Sequence, residues 1–558
     1  MQNKFPLLKL CFFSFIATVV CSHAQAQLPI KKVTKNITAN TTWHANNIYF
    51  LKSKIYVTNG ATLTIEPGTV IQGDTSKKGC LIITRGAKIQ AVGTPCNPIV
   101  FTSSRAPGKR KRGDWGGVLI LGYAQINQPG DTAHIEGIDP IPETLFGGGK
   151  NPNCGGGDCP NNNDNSGTLQ YVRIEFAGVP LAPNNEINGL TMGGVGRGTT
   201  IDHIQVSFSN DDSYEWFGGT VNTKYLIAFR GLDDDFDTDN GHSGKHQFLF
   251  ALRDPNVGDI SGSNGFESDN DAGGSLNAPQ TSAVFSNATI DAGGDTTNNV
   301  NFRRGAHIRR NSHEYIYNSI LMGYPAGVLI DGTTTESNVL ADTLFASNIV
   351  AATQSANWIT TTPLDGAVDN LLRNHADNQF YTGNSGVKLS APYTLGNPKP
   401  WPQSASPAVG SANFHHSPLA DAWFTPVTYR GAFAVGATHS WMTTWANFTP
   451  VNTDYSNGSN QCLQPLTVVE QPVANITTAD ALVSPNPSKG SFNLGLKGFN
   501  ANSVNLRVAD LNTGKVYFIG KAANNGTTKI NVQVPNGNYV IEITDGKNTI
   551  SRKITILN

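Results

Sequence analysis

The chain runs to 558 residues, longer than a single hydrophobic core usually organises, and its 58 glycines, 4 methionines and 15% charged residues suit many short strands and tight turns, not long helices. A formal net charge of -1 provides no global basic field. Bulk attraction to nucleic acid or to an anionic membrane is thereby excluded, and any partner must be recognised locally.

Residues 1–26 carry Lys4 and Lys9, an apolar run from Leu10 to Cys21 and then Ala24-Gln25-Ala26, the layout of a cleavable signal peptide. The mature chain is expected to start at Gln27. The apolar run is too short to span a bilayer and no later segment is long enough, so no transmembrane segment is expected. Cleavage leaves Cys80, Cys96, Cys154, Cys159 and Cys462, an odd number, in a compartment where disulfides persist.

Ala61 to Gly73 can be laid over Gly79 to Ala91 at a constant offset of 18, so that Leu63 falls on Leu81, Ile65 on Ile83, Gly68 on Gly86 and Ile71 on Ile89. In each copy apolar residues alternate and then meet a glycine, which reads as a short half-buried strand ending in a turn. Stacking such copies in parallel would bury their Leu, Ile and Val side chains in one column and pair every edge but the last. The expected body, over residues 27–374, is therefore a right-handed parallel β-helix. With coils about 4.8 Å apart, Cys80 would lie near Pro98, which makes Cys80 to Cys96 the preferred bridge. Cys154 and Cys159 flank a glycine-rich turn and are the second candidate pair.

Further along, Val172 to Phe176, Ile204 to Phe208 and Tyr225 to Phe229 keep the period-two alternation. Asn287, Asn318 and Asn348 recur at about 30 residues, a spacing that suits amides stacked at an internal turn.

Acids concentrate after three successive strands: Asp211 and Asp212, Asp233 to Asp235, Asp237, Asp239, then Glu267, Asp269 and Asp271. Coiling would gather them on one rim, where they repel unless a hard cation neutralises them; calcium accepts six to eight oxygens in forgiving geometry. Asp233, Asp235, Asp237, Asp239, Glu267 and Asp269 are the expected calcium ligands, although the spacing is not that of an EF-hand and aspartate also favours turns for its own hydrogen-bonding reasons. Arg303, Arg304, His307, Arg309, Arg310 and His313 form the cationic counterpart. They would pair with the acidic rim or face an acidic sugar, and Arg303, Arg304 and Arg310 are the candidate catalytic residues if the protein is an enzyme. The sequence has no Gly-x-Ser-x-Gly elbow, no His-Glu-x-x-His and no phosphate loop, and Gly193 to Gly198 lacks a surrounding βαβ unit, so no organic cofactor is expected.

Residues 375–465 turn proline- and aromatic-rich, with Trp423, Tyr429, Phe433, Trp441, Trp445 and Phe448. They are expected to shield the open end of the helix, with a carbohydrate platform as the alternative. Residues 466–480 read as a linker. Residues 481–558 then present Pro485-Asn-Pro487, Gly490-Ser-Phe492, Asp510-Leu-Asn-Thr-Gly514, Gly537-Asn-Tyr539 and a closing Lys553-Ile-Thr-Ile556. That string resembles the type A C-terminal sorting domain of type IX secretion cargo, which implies a small antiparallel β-sandwich, recognition by the type IX machinery and delivery to the cell surface or the medium. The body, through Gly113-Asp-Trp-Gly-Gly117, Glu186-Ile-Asn-Gly-Leu190, Glu215-Trp-Phe-Gly-Gly219, Gly231-Leu-Asp-Asp-Asp-Phe-Asp237 and Gly262-Ser-Asn-Gly-Phe-Glu-Ser-Asp269, resembles secreted β-helix, pectin-lyase-like proteins of bacteria that use this pathway. No activity is carried over with that resemblance. Two functions fit: a non-catalytic scaffold that binds glycans or neighbouring surfaces in adhesion and is stiffened by calcium, or a calcium-assisted polysaccharide lyase or glycoside hydrolase.

Overall fold

The computed structural model describes residues 27–155, 157–182, 185–294, 299–354, 359–360, 365–437, 440–459, 480–497, 499, 502–510, 516–524, 527–545 and 549–557. The expected signal peptide and nearly all of the expected linker lie outside the described residues. The chain divides into two compact units, Met1–Gln464 and Pro465–Asn558.

The first unit is a parallel β-helix. In a ten-stranded sheet the register passes from Ile55 to Leu81, Val118, Leu190, Tyr214, Phe236, Phe266, Ala306, Val328 and Ile359, every pairing parallel. All ten side chains belong to one buried core, because alternation sends every second residue of each strand inwards. A seventeen-stranded sheet supplies the remaining walls, with Ile99, Val172, Ile204, Leu226, Leu249 and Ala288 in one parallel register. Its long strands, including Gly167–Glu175, Thr200–Ser207, Thr223–Phe229, Lys245–Leu252 and Val284–Asp291, each turn a corner at one left-handed residue: Tyr171, His203, Tyr225, Phe248 and Asn287, with φ from 51 to 63. Left-handed backbone is costly for non-glycine residues. Stacking offsets the cost here: the rings of Tyr171, His203 and Tyr225 follow one another at 4.4 Å and Phe248 at 5.2 Å.

The 18-residue repeat does not relate one coil to the next in the way expected. Leu63 pairs with Ile89 and Ile71 with Phe101, while Leu81 lies in the other sheet. The similar segments are successive strand-and-turn units on different walls. In the ten-stranded sheet the true coil varies from 22 residues, between Tyr214 and Phe236, to 72, between Val118 and Leu190, because loops of different length leave the helix at its corners.

This corrects the preferred disulfide. Cys80 points away from the column into a second cluster with Tyr56, Ile82 and Leu119, and it is a free, buried thiol. Cys96, in the turn before Ile99–Ser103, is disulfide-bonded, but not to Cys80. Cys154 and Cys159 are joined to each other. Burial pushes the Cys80 thiol up to about 12, so an alkylating reagent at pH 8 is expected to leave Cys80 unmodified in the native protein and to modify it after unfolding in guanidinium. Peptide mass mapping of the two samples checks this.

Residues 384–437 and 440–459 do not close the helix end as expected. They return along the flank of the seventeen-stranded sheet as a strap, fixed by side chains of successive coils. Asn318 holds the N–H of Asn413 (2.7 Å) and its carbonyl (2.9 Å), Asn287 donates to the Tyr429 carbonyl (2.9 Å), and Gln247 and Gln205 each grip the N–H and carbonyl of one strap residue, Thr425 and Asn447, at 2.8 Å. Nearer the start, Tyr455 donates to buried Glu175 (2.6 Å) and the N–H of Leu28 to the Ser456 carbonyl (2.8 Å). Some of the aromatic residues are taken up in this packing: Trp445 is 1% exposed and lies edge-on against Tyr171 and His203. The asparagine stack is also divided. Asn287 and Asn318 serve the strap, while Asn348 reaches back one coil to the Ile316 carbonyl at 2.8 Å. Two helices, Thr333–Asp342 and Asp365–Asn374, add Val339, Val368 and Leu372 to the core in the last coils.

The second unit has two antiparallel sheets around one core that includes Phe492, Leu494, Leu506, Val508, Ile541 and Ile554. The asparagine of Pro485-Asn-Pro487 is anchored in it: Asn486 donates to the Lys553 carbonyl at 2.9 Å and accepts the Thr555 N–H at 2.8 Å.

Candidate functional site

Alternation in the ten-stranded sheet decides which acids meet. In Tyr214–Phe217 the residues Tyr214 and Trp216 enter the core, so Glu215 faces outwards; in Phe236–Asp239 the same rule turns Asp237 and Asp239 out, and in Phe266–Ser268 it turns Glu267 out. Parallel register then lays Glu215 beside Asp237, Asp237 beside Glu267 and Glu267 beside His307. The turns ahead of these strands add a second row. The N–H of Asp234 donates to Asp212 (2.7 Å), and that of Asn264 donates to Asp234.

Three overlapping groups result: Asp211 with Asp212 and Asp233, Asp212 with Glu215 and Asp237, and Asp234 with Asp237 and Glu267. Within each group one carboxylate oxygen from every residue lies within 4.8 Å of those of the others. Burial, followed by the neighbouring carboxylates, holds Asp211, Asp212, Glu215, Asp234 and Asp237 well above the usual carboxylate range. Burial raises Asp233 to about 6, Asp239 to about 7 and Glu136 to about 7. Glu267 goes the other way: burial pushes it up, but the His307 hydrogen bond and the Arg309 charge outweigh that and hold it below its ordinary value.

Of the expected ligands, Asp233, Asp237 and Glu267 come together. Asp239 sits at the margin, accepting the N–H of Asn240 at 2.6 Å. Asp269 is committed to cations, with Arg309 at 2.7 and 3.0 Å and Arg310 at 2.7 Å. Asp235 turns inward and forms a wholly buried ion pair with Arg253 at 3.2 Å, with the Tyr324 hydroxyl donating to it at 3.3 Å. Asp211, Asp212, Glu215 and Asp234 complete the cluster, and Glu136, from a long excursion between coils, reaches Glu215 and Asn188. The outward parity of Glu215 is readable from its aromatic neighbours; the arrival of Glu136 is not. Among the arginines, Arg310 pairs with Asp269, Arg303 packs its side chain against Gly262, and Arg304 has Arg303, Asp331 and Glu267 as charged neighbours. His307 stands between Glu267 (3.4 Å) and Asp331 (3.1 Å).

The donor set fits a hard cation. Asp233, Asp237, Asn188 and Asn264 each keep a buried side-chain oxygen without a hydrogen-bond partner, and both asparagines are 1% exposed. Their amides already touch the row, Asn188 donating to Glu215 and Asn264 to Glu267 (3.1 Å). Buried acceptors in surplus over donors are expensive unless a cation supplies the missing charge.

The family profile of the pectate-lyase-like β-helix domain matches residues 35–391. The chain belongs to that family. A second profile, the secretion system C-terminal sorting domain, matches residues 482–557, so this pectate-lyase-like β-helix protein is cargo of the type IX machinery, exported to the cell surface or secreted. No curated protein matches the chain, and no described helix is long and apolar enough to cross a membrane.

Proposed function

We propose that the protein is a non-catalytic surface or secreted scaffold whose acidic row binds calcium and which holds glycans or neighbouring surfaces in adhesion. The observation that carries this is the surplus of buried carboxylate and amide oxygens on one wall of a rigid helix. Asp211, Asp212, Asp233, Asp234, Glu215, Asp237 and Glu267 would hold the cations, which supply positive charge that joins successive coils and can also meet an anionic group of a partner. Against catalysis stands the commitment of Arg309 and Arg310 to Asp269 and Glu267, which leaves them paired and not free to take a proton.

A second reading, a calcium-assisted lyase or hydrolase, draws support from His307 and Arg304 beside the row. Both readings are tested on the full secreted chain. Under the scaffold reading, calcium raises the melting temperature, by an amount that corresponds to about 2.7 kcal/mol at a concentration 100 times the dissociation constant; Asp237→Asn removes most of the rise, and a panel of acidic and neutral polysaccharides shows no new reducing ends or unsaturated products. Turnover abolished by Arg304→Ala or His307→Ala would establish the enzyme instead.

A further inference from the structure

The excursion that brings Glu136 to the acidic row also builds a second cavity that the calcium reading does not use. It is open, about 590 Å³, and is lined by Tyr123, Lys88, Asn153, Asn161, Asn163 and Asn165, with Cys154 and Cys159 in its wall. We propose that this cavity binds a neutral oligosaccharide. The proposal deepens the glycan-binding reading above by giving it a site and a ligand class.

The chemistry of the lining carries the inference. Four exposed asparagines converge on one space, and an amide both donates and accepts without charge, which matches the paired hydroxyls of a sugar. Their amides are not spent on the protein. The oxygens of Asn161 and Asn165 accept backbone N–H groups of Asn163 (3.1 Å) and Gly167 (2.8 Å), which fixes both side chains while their NH2 groups have no hydrogen-bond partner among the described residues. Preset donors cost less ordering on binding.

Tyr123 adds an apolar wall. The Arg85 guanidinium lies 4.9 Å from the ring centroid and is itself held by the carbonyls of Gly147 (2.8 Å) and Gly149 (2.7 Å), so the ring is clamped. Gly86 leaves the ring edge open, since a Cβ there would stand 3.4 Å from it. Tyr123 is 8% exposed, so it offers a ligand the edge of its ring and not a face.

Charge argues for a neutral ligand. Burial raises the Asp164 carboxyl above its usual range, and Lys88 is the one cation among the described residues of the lining. An acidic polymer would meet a single lysine here, whereas the acidic row with calcium offers it several charges. The disulfide between Cys154 and Cys159 closes the loop that forms one wall, and the turn from Asn161 to Asp164 is held by the Tyr123 carbonyl, which accepts the Asn161 N–H at 2.7 Å.

The test is calorimetric titration of the full chain with neutral hexasaccharides of glucan, mannan, galactan and xylan type, and with hexagalacturonate, each in calcium and in EGTA. The expected result is binding of at least one neutral hexasaccharide equally in both buffers, weakened tenfold or more by the double variant Asn163→Ala/Asn165→Ala. Asn165→Ala gives up the bond to the Gly167 N–H, whereas the Asn163 side chain makes no hydrogen bond among the described residues. The single variant Asn163→Ala, which should keep the parent melting temperature, therefore separates lost binding from lost folding, and Lys88→Ala gives a second check from the opposite wall. Absence of any neutral binding, or neutral binding that the double variant leaves unchanged, overturns the proposal. The two readings fail separately: calcium-dependent hexagalacturonate binding lost in Asp237→Asn, with no neutral binding, leaves the scaffold reading standing and removes this site. EGTA-insensitive neutral binding with no effect of calcium on stability does the reverse.

Discussion

Asp235→Ala is expected to destabilise the β-helix by about 3–5 kcal/mol, the usual cost of leaving one member of a buried ion pair without its partner. Asp235 and Arg253 are both fully buried and 3.2 Å apart. Arg253 also donates to the carbonyls of Leu232 (2.9 Å) and Asn264 (3.1 Å), tying together turns of neighbouring coils. Urea unfolding of the variant should show the same loss in calcium and in EGTA. A loss seen only in calcium would place Asp235 among the cation ligands and contradict its inward position. The comparison is sharp because Asp237, two residues on, has the opposite role: Asp237→Asn should remove most of the calcium response and, in EGTA, raise stability by removing the cost of protonating a carboxyl that burial and its neighbours hold well above the usual range.

Without calcium, the melting temperature should fall as pH rises from 6.5 to 8. The carboxyls of Asp233, Asp239 and Glu136 are raised to between about 6 and about 7 in the folded state, and those of Asp211, Asp212, Glu215, Asp234 and Asp237 are raised further. A group whose folded value lies above its unfolded one contributes stability at low pH that is lost as pH rises through the folded value. Each carboxyl still protonated in the native state contributes about 1.4 kcal/mol per pH unit to the slope. Buried Glu314, raised to about 8, and Asp291, to about 7, act in the same direction. The buried pair His242 and His246, 3.0 Å apart and lowered by burial, acts oppositely, removing stability as pH falls below 6.5. Above about pH 7.5 both histidines are essentially neutral folded or unfolded, so the upper part of the window isolates the carboxylates. Saturating calcium should flatten the slope, since the cation replaces the protons; scanning calorimetry at four pH values, with calcium and with EGTA, measures it. An unchanged slope in calcium would show that the row binds no cation.

The acidic site was legible in part, and the reason is geometric. The sequence shows that Asp233, Asp237 and Glu267 follow strand segments, and alternation with Tyr214, Trp216, Phe236 and Phe266 assigns the outward face. It gives no sign that Asp235 turns inward, because a buried acid needs a partner and Arg253 arrives from the next coil. Nor does it give the partners of Asp269, since Arg309 and Arg310 lie some forty positions on. The cysteine pairing escapes the sequence on the same ground: the 18-residue likeness between segments has the look of a coil, whereas the coils of the ten-stranded sheet run from 22 to 72 residues, and Cys80 and Cys96 stand on different walls.

By itself the sequence determined what depends on local pattern. Period-two alternation ending in turns yields parallel strands with one apolar column, and the ordered motifs after Val483 yield the antiparallel sorting domain and hence export. Only the tertiary structure decided which side chains become neighbours: the cluster of carboxylates from three coils, the asparagine-lined cavity of the excursion, and the strap that lies along the flank instead of over the end. In a solenoid, contacts across coils are fixed by register, and register depends on the length of every intervening loop, a quantity that local alternation does not encode.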